Sequence, residues 1–154
     1  HDALPIWFAV GIERNSATVT DAIKYHGPAR PFGLITRPVT RENARSLPIF
    51  DYVFFFSVYH QVYRDSGQEV AESLLARLGE RTSDTLFFEP ASQKSKYGDR
   101  SLPFEDFDRD SIVEYNRELV ESVMERDCDV KYLGPSRRME AKEGERHMFA
   151  ARFE

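Results

Sequence analysis

The stretch that most restricts the fold of this chain is Tyr52-Val53-Phe54-Phe55-Phe56-Ser57-Val58. It is of strand length, aromatic and β-branched, with almost no polar alternation. A strand wetted on one face alternates apolar and polar side chains, whereas an unbroken run is the pattern of a strand covered on both faces of a parallel sheet. Parallel strands need long crossover connections, usually helices, so strand runs and helical periods are expected to alternate along the chain.

The rest of the chain follows that expectation. Strand-length runs stand at 7–12, 32–36 and 85–88. A helix is predicted over 17–26, N-capped by Ser16 and stopped by Gly27 and Pro28. Residues 37–47 read as a polar connection. A second helix, over 68–78, gathers Val70, Ala71, Leu74, Leu75 and Leu78 on one face, with Gly79 at the position of a C-terminal cap. A third, over 111–124, would bury Ile112, Tyr115, Leu119 and Val123. Strands at 130–133 and 147–153 close the chain, joined by the charged segment 136–146. No helical period separates them, so they read as an antiparallel hairpin. The alternation predicts an α/β fold, a mostly parallel sheet flanked by helices and ending in that hairpin. The connection 89–110 exceeds the ~12–15 residues beyond which loops are usually functional.

Composition narrows the classes. With 154 residues, a single domain spanning 1–154 is expected. No apolar run reaches the ~18–20 residues that span a bilayer, and no basic-then-apolar start marks a signal peptide, so neither a membrane protein nor an export leader is expected. Cys128 is the single cysteine, which excludes an internal disulfide framework and a cysteine-rich zinc site and makes a reducing, cytoplasmic setting the default. The four histidines show no ligand spacing, and no metal site is expected. A net charge of −5 argues against broad nucleic-acid binding. Arg137, Arg138 and Lys142 are interleaved with Glu140, Glu143 and Glu145, which reads as a solvated hairpin loop rather than a nucleic-acid patch.

Open parallel sheets bind ligands at the carboxyl ends of their strands. Glu13 follows the first strand, where a carboxylate can accept hydrogen bonds from both hydroxyls of a ribose or can simply be solvated; both readings stand. Ser57, Tyr59 and His60 follow the third strand. His60 there is either a general base or hydrogen-bond partner or a structural residue closing the strand. Glu89, before Pro90, adds a carboxylate to the same rim with the same two readings. A triad of Ser57, His60 and Asp65 lacks the Gly-x-Ser-x-Gly elbow. Cys128 lies between Asp127 and Asp129, whose charge raises a thiol pKa, and reads as inert.

In their order, these pieces resemble the class I S-adenosylmethionine-dependent methyltransferases, which have a Rossmann-like three-layer fold. Val10-Gly11-Ile12-Glu13-Arg14-Asn15 is similar to the family's second strand and its acidic end. Phe50-Asp51, running through the aromatic strand to Ser57-Val58-Tyr59-His60, is similar to the fourth. Residues 84–90 match the fifth, and Arg146-His147-Met148-Phe149-Ala150-Ala151-Arg152-Phe153 the closing hairpin. The resemblance implies S-adenosylmethionine as cofactor, held by Glu13 and Arg14 at the ribose, by Glu42 or Asn43 at the adenine, and by Ser57. Tyr59 and His60 would stand at the methyl-transfer end, with His60 as base or substrate contact. The loop 89–110, carrying Lys94, Lys96, Tyr97 and Phe104, would cover the acceptor, for which the negative charge favours a small molecule over RNA or protein.

The family's first strand and its Gly-x-Gly loop have no counterpart here, so the domain is expected to be N-terminally incomplete. Open sheet edges are expected to follow, covered by a partner chain or a second copy. Two other readings remain: a catalytically silent methyltransferase-like binding or scaffolding domain, and a fragment of a nicotinamide-dependent oxidoreductase. The terminal hairpin and the lack of a glycine fingerprint count against the last.

Overall fold

A computed structural model describes residues 8–26, 32–90, 108–136 and 146–154 of the chain. They fall into two units, His1–Asn43 and Ala44–Glu154.

In the first unit β1 (Ala9–Glu13) pairs in parallel with β2 (Phe32–Thr36), and α1 (Ser16–His26) connects them. The helix starts because the Asn15 side chain accepts the Ala17 N–H at 2.9 Å, so Asn15 is the cap where Ser16 was expected. β1 runs on to Glu13, which is its last residue rather than the first beyond it. The expected polar connection contains one short turn, α2 (Arg41–Ala44). Thr40 and Asn43 start it reciprocally: Asn43 Oδ1 accepts the Thr40 N–H at 2.9 Å, and Thr40 Oγ1 accepts the Asn43 N–H at 3.3 Å. Among the described residues of this unit only Val19 is buried.

The second unit holds β3 (Phe50–Phe56), α3 (Tyr59–Ser66), α4 (Gln68–Glu80), β4 (Thr82–Glu89), α5 (Arg109–Val123), β5 (Cys128–Pro135) and β6 (His147–Phe153). Its sheet has the order β3-β4-β6-β5. β3 and β4 are parallel, and β6 runs antiparallel to both β4 and β5. The expectation of one mostly parallel sheet is therefore corrected: the described residues form two sheets, whose strand pairings divide evenly between parallel and antiparallel. The hairpin is the cause. Its second strand inserts beside β4, so a single hairpin creates both antiparallel pairings.

Helices α3, α4 and α5 cover one face of this sheet. Phe55, Leu86, Phe88, Phe149, Ala151 and Phe153 lie buried beneath them, with Leu74, Leu75, Ile112 and Val120 from the helices. Removing each large apolar side chain from water contributes about 1.5–3 kcal/mol. The opposite face differs: Tyr52 is 53% exposed and Phe54 65%. Among the described strands of this sheet β3 lies at one end, and within this unit the described helices cover only one of its faces.

The helices also depart from expectation in instructive ways. α3 was not anticipated. It ends where Gly67 takes φ 91° and its N–H bonds to the Tyr63 carbonyl at 2.8 Å, and α4 begins directly after it. Gly79 does not cap α4 but lies inside it, because a Cβ there would collide with Met124 Sδ. Asp108 caps α5 through the Ser111 N–H at 2.8 Å; hydrogen bonding to the Ser111 side chain, and then to this N–H, holds its carboxyl below the usual range. Half-burial, with Glu121, Asp127 and Asp129 nearby, pushes the Cys128 thiol up, consistent with an inert side chain. The loop expected over 89–110 falls largely on 91–107, and the interleaved charges on 137–145; both lie outside the described residues. No helix of the described residues is long and apolar enough to cross a membrane.

Candidate functional site

At the carboxyl end of β3 the chain turns from strand to helix within two residues, Ser57 and Val58. Ser57 takes φ 58°, the one non-glycine residue with positive φ among those described. The left-handed region costs an L-residue about 1–2 kcal/mol, so it persists only where its surroundings hold it. Here every polar group of Ser57 is engaged. Its N–H donates to the Glu89 carbonyl at 3.1 Å, and its hydroxyl donates to Glu89 Oε1 at 2.7 Å. The same hydroxyl accepts from Arg146, and its carbonyl accepts Gln61 Nε2 at 2.9 Å.

Glu89 ends β4 and is 3% exposed. Burying a carboxylate at that depth requires a counter-charge, and Arg146 Nη1 lies 3.4 Å from Glu89 Oε1. Arg146 reaches this rim because β6 runs antiparallel to β4, which sets the start of one strand beside the end of the other. His147 follows it, 2% exposed, its Nδ1 3.0 Å from the Tyr132 hydroxyl. Strand ends and hairpin mouth thus converge on one rim.

His60, in the first turn of α3, is also 2% exposed. Burial above all, and then the charges of Arg146 and Arg64, lower its pKa to about 4, against an opposing pull from Glu89. The imidazole is therefore neutral at physiological pH and can accept a proton or a hydrogen bond. Tyr59 turns the other way. Its ring meets Phe88 edge-on with centroids 5.5 Å apart, and its hydroxyl has no hydrogen-bond partner among the described residues. Burial, with Tyr115, Glu72 and Tyr63 close by, raises its pKa and keeps the phenol protonated.

The sequence candidates thus separate. Ser57 and His60 stand on the rim of the second unit, and Tyr59 packs into that unit's interior. The triad of Ser57, His60 and Asp65 that the sequence already argued against does not form: the Ser57 hydroxyl donates to the Glu89 carboxylate, not to an imidazole. In the first unit Glu13 Oε1 accepts the Asn15 N–H at 2.8 Å, which sets the carboxylate at the end of β1. Asn43 spends its amide on structure, with Nδ2 donating to the Pro38 carbonyl at 2.7 Å while Oδ1 caps α2. Arg14 and Glu42 are exposed. Arg146, His147 and Tyr132 were not anticipated as site residues, though an expected hairpin already implied that its mouth lies at the carboxyl rim. Among the described residues no group of three or more His, Cys, Asp or Glu side chains is placed to hold a metal ion.

No protein-family model matches the sequence, and no curated protein matches it significantly. Solved structures do share the fold. WbdD, a bifunctional kinase-methyltransferase, aligns over 92% of this chain and 29% of its own, with TM-score 0.64 and 20% identity. The magnesium protoporphyrin IX methyltransferase ChlM from Synechocystis, solved with bound SAM, aligns over 94% and 59%, with TM-score 0.60 and 11% identity. The methyltransferase domain of bacterial CtHen1 aligns over 94% and 77%, with TM-score 0.58 and 10% identity. The chain has a methyltransferase fold. It spans about three-tenths of the length of the WbdD chain.

The carboxyl-end residues fit S-adenosylmethionine in part. Glu13 presents a carboxylate with one oxygen already bonded to the backbone, leaving the other for a ribose hydroxyl. Asn43 offers no uncommitted amide group to an adenine.

Proposed function

We propose that this chain carries out S-adenosylmethionine-dependent methyl transfer to a small-molecule acceptor. The observation that supports it most is the fold shared with methyltransferases, one of them solved with SAM bound. The cofactor, when bound, supplies an electrophilic methyl group. The chain's part is then to bind, to orient and to exclude water, with effects that can be large when reacting groups are aligned.

Glu13 takes the ribose hydroxyls, with Arg14 beside it, and Glu42 is the better of the two adenine candidates because the Asn43 amide is committed. Ser57 acts at the rim through its place in the chain rather than through a free hydroxyl. His60 is the acceptor-side residue: neutral and at the rim, it can accept a hydrogen bond or a proton from a nucleophile. A second reading, a silent methyltransferase-like binding domain, is favoured by the committed Asn43 amide.

Calorimetric titration with S-adenosylhomocysteine tests the proposal. Binding that weakens about tenfold or more in Glu13→Ala, the loss of about 1.4 kcal/mol expected for a hydrogen bond to a charged group, and stays within about twofold in His60→Ala supports it. No binding by the folded chain favours the silent domain.

A further inference from the structure

Ser57 shows a local conflict with its own chemistry. A serine, with a Cβ, occupies a backbone region that suits glycine, and it does so at the point that aims α3. The first turn of α3 hangs on the two residues of this bend: the Gln61 and Val62 N–H groups both bond to the Val58 carbonyl, at 2.9 and 3.1 Å, and the Gln61 side chain folds back on the Ser57 carbonyl. His60 lies inside that turn. Wherever Ser57 points the chain, the imidazole follows.

Two residues far away in sequence hold Ser57 there. Glu89 grips it twice, through its carbonyl and its carboxylate, and Arg146 bonds both to the Ser57 hydroxyl and to Glu89. A buried ion pair is weak evidence for added stability, so its retention at this place calls for another role. We propose that Glu89 and Arg146 are positioning residues that clamp Ser57 in its left-handed conformation and thereby fix the orientation of His60 at the rim. The clamp ties the ends of β3 and β4 and the start of β6 to one helical turn. It acts within the second unit and does not depend on the cofactor reading.

The charged groups facing His60 are Arg64 from its own helix, Arg146 from the position just before β6 and Glu89 from β4. If the clamp opens, the first turn of α3 loosens and water reaches the imidazole. Its titration then moves from about pH 4 towards the ordinary value of about 6.5.

The test follows the His60 imidazole proton through a pH titration by NMR in four forms of the chain. The Glu89 charge by itself holds the His60 midpoint up, so its loss alone would lower it; Glu89→Ala also opens the clamp to water, and a net rise of the midpoint is expected. Ser57→Gly removes the need for the clamp, since glycine holds positive φ without a Cβ penalty, and the midpoint is expected to stay near its native value. In the double variant, Ser57→Gly is expected to bring the midpoint back at least halfway. A Glu89 that only filled space and balanced charge would gain nothing from a glycine at 57, so failure of that rescue overturns the proposal. An unmoved midpoint in Glu89→Ala also overturns it. Should Glu89→Ala not fold, Arg146→Met takes its place. It leaves the carboxylate on Ser57 but removes the outer grip, and the same rescue by Ser57→Gly is required. Because no cofactor is present in any arm, a negative result here is distinct from a failure to bind S-adenosylhomocysteine.

Discussion

The two faces of the β3-β4-β6-β5 sheet are built from the same kind of residue and meet opposite fates. On one, Phe55, Phe88 and Phe149 are closed off beneath three helices. On the other, Phe54 stacks flat on Phe87 with centroids 4.9 Å apart, Phe56 meets Phe54 edge-on, and Tyr52 leans towards Phe87. Yet Phe54 and Tyr52 remain more than half exposed. Aromatic content therefore does not tell which face is core; the helices decide it. Within the second unit, no described helix lies over this aromatic ladder.

The sharpest way to break this comparison is to remove one ring from each face. Phe88→Ala, in the dry layer, is expected to cost about 3–5 kcal/mol in urea unfolding. An equal loss from Phe54→Ala would show that the second face is covered after all.

A second probe uses acid. The folded chain keeps His60 neutral down to about pH 4, whereas an unfolded chain protonates it near its ordinary value. Between about pH 6.5 and 4, protons bind the unfolded chain preferentially. Stability that is fully present above pH 6.5 is thus lost as the pH falls, by about 3 kcal/mol for a shift of this size. Unfolding curves at stepped pH should show this slope, and His60→Gln should flatten it. A native chain with no slope in that window would place His60 in water.

Gly79→Ala presses a methyl group onto Met124 beneath α4 and is expected to cost about 1–3 kcal/mol, relieved when Met124 is also shortened. The smallest effect belongs to the open face. Phe54→Ala is expected to cost less than about 1 kcal/mol, because little of its ring leaves water on folding. The same pair of melts that measures Phe88→Ala checks it.

Much of the framework was legible in the residues. The closing strand was found at its observed bounds, and the helices at 16–26, 68–80 and 109–123 were found to within a few residues, since apolar period and turn signals are local properties. What could not be read depends on partners distant along the chain. α3 is short, its Tyr59, Val62 and Tyr63 spacing covering little more than one turn, and it starts from a bend that Glu89 and Arg146 contact from elsewhere in the chain. Gly79 looked like a helix stop because a glycine signals one locally; only Met124, packed against it, explains a glycine inside the helix. Of the site residues, His60 and Ser57 could be placed from strand ends alone. Arg146 needed the antiparallel pairing of β6, and the inward turn of Tyr59 needed Phe88.

The place of β4 at the centre of its sheet also sets an order of events during synthesis. β3, α3, α4 and β4 leave the ribosome together and can pair at once, but Phe88 must wait for Phe149, far downstream, before its second edge is sealed. Until then a nascent strand of high aromatic content carries an unsatisfied row of backbone groups. Closure over that distance is expected to limit the folding rate.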